Sequence, residues 1–227
     1  MIEVPASTCV LFSDVGCPWS HVAVHRWRAE RQNRGLQDEI SLELRSFPLE
    51  LFNRKATPKH ILDVEIPVAG ALAPGAGWKM WQKRPHDYAV TMLPALEAIH
   101  AAREQNVRAS EDLDVALRRA FFGESRNVSL HHIILEIAQN CEGVEVGLIE
   151  AALESGVHRE RIFADLDLAR AADVKGSPQF FLPDGSNYHN PGIEMHWEGK
   201  PGEGFPVVDK DDPNIYAEMF DRIARSS

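Results

Sequence analysis

The first fifty residues combine short apolar runs with one amphipathic stretch. Residues 8–13 (TCVLFS) form a nearly continuous apolar run, which is typical of a strand buried on both faces. Residues 14–16 break this run, and apolar side chains then recur at helical spacing over residues 19–34, up to Gly35. Residues 40–47 alternate apolar and polar side chains, as strands do. The order strand, turn, helix, strand predicts a βαβ unit with a right-handed crossover.

The middle of the chain changes to loop and helix patterns. Residues 48–77 contain several prolines and glycines and are interpreted as a loop with short helical turns. From residue 86 to about residue 173, five apolar stripes follow one another at helical spacing. Glycines lie where three of these helices would stop, at Gly123, Gly143 and Gly156. The pattern predicts a block that is wholly helical.

Strand character returns near the end of the chain. Residues 178–182 form an apolar run, residues 183–185 (PDG) are a strong turn signal, and a second strand near residues 186–189 would complete a hairpin. Residues 190–212 are rich in glycine and proline and are interpreted as an ordered loop with limited strand. Residues 213–224 carry apolar side chains at helical spacing, which predicts a terminal amphipathic helix.

Joined across the helical block, the outer segments predict an α/β fold. They form a sheet layer of βαβββα type with helices on both faces. Residues 1–50 and 174–227 are assigned to this layer as one domain, and residues 51–173 to an inserted all-helical domain that lies on it as a lid. The 227 residues are enough to bury a core of this size.

The charge and hydropathy of the sequence argue against two classes of partner, nucleic acids and membranes. The net charge of -10, without a long basic run, argues against a nucleic-acid partner, because phosphate binding needs clustered lysines and arginines. No apolar segment approaches the length of a bilayer span, and the first residues lack the charged and apolar regions of a secretory signal. We therefore expect a cytoplasmic protein with neither a nucleic-acid nor a membrane partner.

Three cysteines, an odd and low number, do not make a disulfide framework. Cys9 lies inside an apolar strand and is expected in the core, and Cys141, near a helix end, is expected to be structural or incidental. Cys17 lies in a turn between a strand and a helix, which we expect to be exposed. The free N–H groups and positive dipole end of a helix N-terminus lower the pKa of a thiol, and a protonated His21 one turn later would add to this. Cys17 is therefore the candidate nucleophile.

The histidines and the large aromatic side chains are interpreted as ordinary core or surface residues. The ten histidines accompany neither a paired-cysteine motif nor a His-Glu-x-x-His pattern, so no metal site is expected. Large side chains of the helical region are interpreted as core, with a substrate groove as the alternative. They are Trp78, Trp81, Tyr88 and Met92.

Two segments carry a resemblance to a known family. Residues 14–20 (DVGCPWS), placed after the first strand, resemble the active-site segment of DsbA-like thioredoxin-fold proteins, most closely the cytoplasmic FrnE-like and 2-hydroxychromene-2-carboxylate isomerase branch. Residues 174–181 (VKGSPQFF) are similar to that family's entry to its third strand, where a cis-proline lies beside the catalytic cysteine. A helical insertion between the two segments matches the family's domain order. The resemblance implies a thioredoxin-like fold over almost the whole chain.

The resemblance also implies a role for each matching residue. Cys17 becomes the catalytic nucleophile, and Pro18 and Trp19 shape the loop around it. Pro178 becomes the cis-proline, and the backbone of Ser177 is expected to pair with a bound thiol peptide in the manner of a strand. The candidate substrate-binding residues are therefore Pro18, Trp19, Ser177 and Pro178. A cis Ser177–Pro178 bond is predicted.

Ser20 departs from the family, whose oxidoreductases mostly carry a second cysteine at this position. Thiol–disulfide exchange passes through a mixed disulfide, and a hydroxyl cannot resolve it as a second thiolate would. Three interpretations stay open. Cys17 works as a single thiol, with glutathione or another low-molecular-weight thiol as cosubstrate that resolves the adduct. Alternatively, Ser20 or Cys17 activates a small thiol in a transferase or isomerase, or Ser20 is an engineered replacement that traps the adduct.

The leading hypothesis is a DsbA-family thiol–disulfide oxidoreductase or isomerase with Cys17 and Ser20 as catalytic residues and no bound cofactor. Its substrate would be a thiol or disulfide of a protein or a small molecule. The first alternative is a glutathione-dependent transferase or isomerase of the kappa or 2-hydroxychromene-2-carboxylate isomerase type. The second is a non-enzymatic thioredoxin-fold module that binds a protein through the cis-proline edge. A homodimer is left open.

Overall fold

The computed structural model describes residues 2–200 and 203–226. The chain begins with strand β1 (Thr8–Ser13), helix α1 (Pro18–Asn33) and strand β2 (Ser41–Ser46). β1 and β2 are parallel neighbours, with Thr8 opposite Ser41. The predicted βαβ unit is therefore confirmed.

Helices then dominate up to residue 171. The predicted loop over residues 48–77 holds a short helix, α2 (Leu49–Phe52), and a 14-residue helix, α3 (Lys59–Leu72). The predicted helical block is confirmed as five helices, which are α4 (Leu93–Gln105), α5 (Val107–Glu124), α6 (His131–Ala138), α7 (Val146–Ser155) and α8 (Arg159–Ala171).

The loop interpretation of α3 was wrong because its proline sits on the solvent side. Pro67 lies inside the helix and is exposed, so only one backbone hydrogen bond is lost there. The opposite face buries Leu62, Ile66 and Ala69 at helical spacing. Packing of that face outweighs the local preference of proline to end a helix.

The C-terminal third contains two hairpins. The predicted pair of strands is confirmed as β3 (Gln179–Phe181) and β4 (Asn187–His189). The predicted loop over residues 190–212 instead contains β5 (Ile193–Glu198) and β6 (Phe205–Asp211), which pair as a separate antiparallel sheet. Residues 201 and 202 of that segment lie outside the described part. The terminal helix is confirmed as α9 (Ile215–Arg225).

Glycine and proline in this segment mark the ends of the second hairpin. Gly199, with a φ of +86°, follows directly after β5, and Gly204 directly precedes β6. Pro206 lies in β6 opposite Trp197 of β5. Neither strand of a two-stranded sheet is central, and a proline is tolerated in such an edge position. The glycines therefore do mark turns, as predicted, but these turns lie at the ends of two strands and not within a long loop.

Two apolar cores lie on the two faces of the main sheet, whose strand order is β2-β1-β3-β4. On one face, the ring of Trp27 from α1 stacks on Phe220 from α9, with centroids 4.3 Å apart. On the other face, Phe12 of β1 meets Phe181 of β3 edge-on at 5.8 Å. The α/β fold with helices on both faces is thereby confirmed. No helix in residues 2–200 and 203–226 is long and apolar enough to cross a membrane.

Carboxylates from the helical block cover the outer edge of β2. The N–H of Leu42 donates to Glu111 Oε1 of α5 at 2.8 Å, and the N–H of Ser46 donates to Asp165 Oδ2 of α8 at 2.8 Å. Both carboxylates are buried, and arginines pair with them. These contacts satisfy backbone donors of an edge strand and join the helices to the sheet.

Candidate active site around Cys17

Cys17 lies at the N-terminus of α1. Its backbone is extended, with φ -87° and ψ 116°, and Pro18 occupies the first helical position, where a missing N–H has no partner to lose. The carbonyl of Cys17 accepts the hydrogen bond from His21 N that begins the helix. The side chain is only 3% exposed, so the expected exposure of this turn is wrong.

The fold brings Ser20 and Ser177 to Cys17. The Cys17 thiol donates to the carbonyl oxygen of Ser177 at 3.1 Å. The hydroxyl oxygens of Ser20 and Ser177 lie 2.6 Å apart. The Ser177–Pro178 peptide bond is cis, the geometry that the sequence predicts. Two motifs that are far apart in the sequence therefore form one buried cluster of a thiol and two hydroxyls.

Asp14 fixes the loop between β1 and Cys17. Its carboxylate accepts from the N–H groups of Gly16 at 2.7 Å and Leu49 at 2.9 Å, and its own N–H donates to the Ser177 hydroxyl at 2.9 Å. Burial raises the pKa of Asp14 to about 6, while these N–H donors and the charge of Arg118 act in the opposite direction. The bond from Gly16 makes Asp14 the first residue of an Asx turn, a role that aspartates in turns often take.

Arg118 of α5 reaches the same loop from the helical block. The side chain is fully buried. It donates to the backbone carbonyl of Asp14 at 2.9 Å, to the Ser13 hydroxyl at 3.0 Å and to the carboxylate of Asp114 at 2.8 Å. The sequence carries no signal for this role, because one arginine of a helix looks like any other before the helix is packed.

The expectation of a lowered Cys17 pKa is not met. Burial raises the pKa of the Cys17 thiol above its ordinary value, and hydrogen bonds from the Ser177 side chain and the Ser20 backbone oppose this rise only in part. The negative charge of Glu65 raises the pKa further. The resting site therefore holds a neutral thiol with hydrogen-bond donors already placed for a thiolate.

His21 adds no positive charge to the site. Its ring lies between Trp78 and Phe122, with centroids 4.5 and 5.0 Å away, and Nε2 is 3.1 Å from the carbonyl oxygen of Ala76. Burial, followed by the charge of Arg118, lowers the pKa of His21 to about 3. The imidazole is neutral at physiological pH, so the proposed help from a protonated His21 is wrong.

The remaining cysteines and large side chains occupy core positions. Cys9 is fully buried in β1, where burial raises its pKa well above the ordinary value, and Cys141 is half-buried after α6. Large side chains of the helical region pack against the main core, and none of them lines the cavity at Cys17 described below. They are Trp78, Trp81, Tyr88 and Met92.

A cavity of about 350 Å³ opens in front of Cys17. Of the four residues expected to bind substrate, Pro18, Trp19 and Ser177 line this cavity, whereas Pro178 is not among its lining residues. Its other walls come from residues 49–65 and from the region around β4 and β5. The volume is in the range of small-molecule sites. A small thiol or an exposed disulfide loop therefore has room to approach Cys17.

The raised Cys17 pKa has a direct kinetic consequence. We expect the rate of Cys17 alkylation by iodoacetamide to keep rising beyond pH 9, because only the thiolate reacts and burial disfavours it. Peptide mass spectrometry would follow Cys17 separately from Cys9 and Cys141. A rate curve with its midpoint at or below about pH 8.5, the pKa of a free thiol, would contradict this result.

The comparisons with known proteins agree with this fold. The sequence matches the DSBA-like thioredoxin domain family over residues 8–201. DsbM, a cytosolic disulfide reductase from Pseudomonas aeruginosa, superposes with a TM-score of 0.67 at 14% identity over 97% of this chain and 100% of that chain. Its structure with GSH gives a TM-score of 0.61 at 15% identity, covering 96% of each chain.

Two further structures share the fold. A probable DsbA oxidoreductase from Streptomyces coelicolor has a TM-score of 0.66 at 18% identity, over 97% of this chain and 91% of that chain. A 2-hydroxychromene-2-carboxylate isomerase has a TM-score of 0.56 at 16% identity, over 80% and 87%. No curated protein shows significant sequence similarity. Since the family match spans most of its length, the chain belongs to the DSBA-like thioredoxin domain family.

Proposed function

We propose that this protein is a thiol–disulfide oxidoreductase in which Cys17 is the only reacting thiol of the site and an external small thiol, such as glutathione, resolves the mixed disulfide. The observation that carries this proposal is the cluster of Cys17 with Ser20 and Ser177, in which Cys17 and Ser177 line the cavity. Neither Cys9 nor Cys141 lines that cavity. The resolving thiol must therefore enter from solution.

The reaction proceeds by two exchange steps. Cys17 loses its proton, and its thiolate attacks a disulfide R–S–S–R′. The Cys17–S–S–R bond forms, the substrate S–S bond breaks, and R′–S⁻ leaves and takes up a proton. A small-thiol thiolate then attacks the sulfur of R and releases the Cys17 thiolate, so the total number of disulfide bonds is conserved.

The donors around Cys17 support the thiolate as it forms and leaves. The Ser177 side chain and the N–H of Ser20 lower the pKa of Cys17 against the effect of burial. When the thiol loses its proton it also gives up the bond to the Ser177 carbonyl. That oxygen is then free to accept an N–H from a bound peptide, as the sequence-based expectation for Ser177 requires.

The neighbouring structures support the direction of this proposal. DsbM is described as a cytosolic disulfide reductase, and one of its structures contains GSH. At this level of identity the likeness shows the fold, and we extend the reductase activity and the cytosolic setting to this chain as part of the proposal.

Intact mass after exposure to oxidised glutathione tests the assignment of Cys17. We expect one glutathione adduct on the wild type and on Cys141→Ser, and none on Cys17→Ser, because only Cys17 meets the cavity. Dithiothreitol should remove the adduct. An adduct that forms on Cys17→Ser as fast as on the wild type, or on neither protein, would show that Cys17 is not the exchanging thiol.

A small-thiol-dependent isomerase is the second candidate. Apolar residues in the cavity wall favour it, since Leu49, Ile61 and Met195 would suit a small apolar substrate beside the thiol. Calorimetry with reduced glutathione, together with the adduct measurement above, separates the two functions. Binding of reduced glutathione without any Cys17 adduct from oxidised glutathione would favour the isomerase.

A further inference from the structure

Glu65 places a carboxylate in the cavity that holds Cys17. It belongs to α3 and lines the cavity beside Trp19. The indole N–H of Trp19 donates to Glu65 Oε1 at 3.0 Å. Trp19 is itself buried, so this bond holds the carboxylate in one orientation at the wall of the thiol site.

No basic side chain of the described residues forms an ion pair with Glu65. Four carboxylates that are more deeply buried each pair with an arginine, and they are Glu97, Glu111, Asp114 and Asp165. Buried Asp14 instead accepts two backbone N–H groups. Burial raises the pKa of Glu65 to about 7, and the Trp19 N–H opposes this rise. Removing a carboxylate from water without a cation is unfavourable. A cation that enters the cavity would supply the missing partner.

Asn190 provides a second acceptor at the same cavity. Its side-chain oxygen is buried and has no hydrogen-bond partner within the described part of the chain. Asn190 lies in the cavity wall with Glu65 and Cys17. Lys55, the lysine of this wall, is exposed and makes no ion pair with Glu65. The wall that contains Cys17 thus offers a carboxylate without a cation and an amide oxygen without a donor, which suit a cationic ligand that donates several hydrogen bonds.

We propose that Glu65 is the ammonium-binding group of the thiol site, so that Cys17 exchanges preferentially with disulfides of aminothiols. A primary ammonium has three donors and one positive charge, which match Glu65 and Asn190. Disulfides that carry carboxylates but no ammonium group are repelled by the same group. This specificity rests on the function proposed above and names its substrate class.

Three symmetric disulfides of similar size separate the effect of charge. They are cystamine, which is cationic, 2-hydroxyethyl disulfide, which is neutral, and dithiodiglycolate, which is anionic. The rate of mixed-disulfide formation at Cys17 is measured at about pH 8, where a primary ammonium is charged. Each rate is divided by the rate of the same disulfide with free 2-mercaptoethanol. The ratio removes the intrinsic reactivity of each disulfide.

We expect the wild type to prefer cystamine over the neutral disulfide by about tenfold after this normalisation, and to disfavour the anionic one. Glu65→Gln keeps an oxygen for the Trp19 N–H and removes the charge, so the preference should fall to about one. Asp63→Asn is the matched control, because Asp63 lies on the same helix and pairs with Lys59 outside the cavity. It should keep the preference.

Equal normalised rates for the three disulfides on the wild type would overturn the role of Glu65, and this comparison needs no variant. A cystamine preference that survives in Glu65→Gln would overturn it as well. Loss of the preference in Asp63→Asn would assign the effect to the general field of the helix instead. If Cys17 reacts with none of the disulfides, the proposed oxidoreductase function itself fails.

Discussion

Replacement of Ser20 by cysteine is expected to move resolution of the Cys17 adduct from solution into the motif. Residues three apart at the start of a helix face each other, and the Ser20 hydroxyl already contacts Ser177, whose carbonyl binds the Cys17 thiol. A sulfur at position 20 therefore lies beside Cys17. Because its attack is intramolecular, the glutathione adduct should disappear at least about 100-fold faster than in the wild type.

Rapid acid quenching followed by intact mass measures the lifetime of that adduct. The expected product of Ser20→Cys is a protein two hydrogens lighter than its reduced form, with the disulfide between residues 17 and 20. Ser155→Cys is the control, because it adds an exposed thiol on α7 and should leave the adduct lifetime unchanged. A Ser20→Cys variant that accumulates the adduct for as long as the wild type would show that the side chain at position 20 does not reach Cys17.

Arg118→Met is expected to lower the free energy of unfolding by about 3–5 kcal/mol, since it breaks a buried ion pair from one side. The Asp114 carboxylate would keep its burial and lose its cation. The carbonyl of Asp14 and the hydroxyl of Ser13 would lose their donors in the loop before Cys17. Methionine fills a similar length without the charge.

Urea unfolding of Arg118→Met and Arg119→Met measures this effect against a matched control. Arg119 is the next residue of α5, its side chain is 74% exposed, and it pairs only loosely with Glu124 at 3.5 Å. We expect its replacement to change stability by no more than about 0.5 kcal/mol. A loss below about 1 kcal/mol for Arg118→Met would mean that the buried guanidinium contributes little to holding the loop.

The main sheet and the helical block could be predicted because their signals are local and periodic. The apolar run of β1 and the alternation of β2 match the observed strands, and the stripes beyond residue 86 match α4 to α8. The errors lie where proline and glycine were given too much weight. Pro67 is tolerated on the exposed face of α3, and Gly199 and Gly204 lie at the ends of strands. In both cases tertiary packing decides whether a helix or strand forms, and a local sequence pattern does not contain this packing.

The residues of the site that could be predicted are those that belong to the two motifs. Cys17, Ser20 and Ser177 meet because β1 and β3 are neighbours in the sheet and each motif lies at the end of one of them. The direction of the Cys17 pKa could not be predicted, since burial is a property of the whole fold. Arg118 and Glu65 reach the site from the helical segment, and no spacing in the sequence relates them to Cys17.

The covered edge of β2 also affects self-association of the protein. A strand from a second molecule extends a sheet by taking the free donors of an edge, and here Glu111 and Asp165 already occupy two of them. Their carboxylate oxygens would face the carbonyl oxygens of an incoming strand and repel them. Growth of this sheet into a fibril, or a swap of strands between molecules, is therefore disfavoured at β2. The three-residue strand β4 is the other edge of the sheet and offers only a short template.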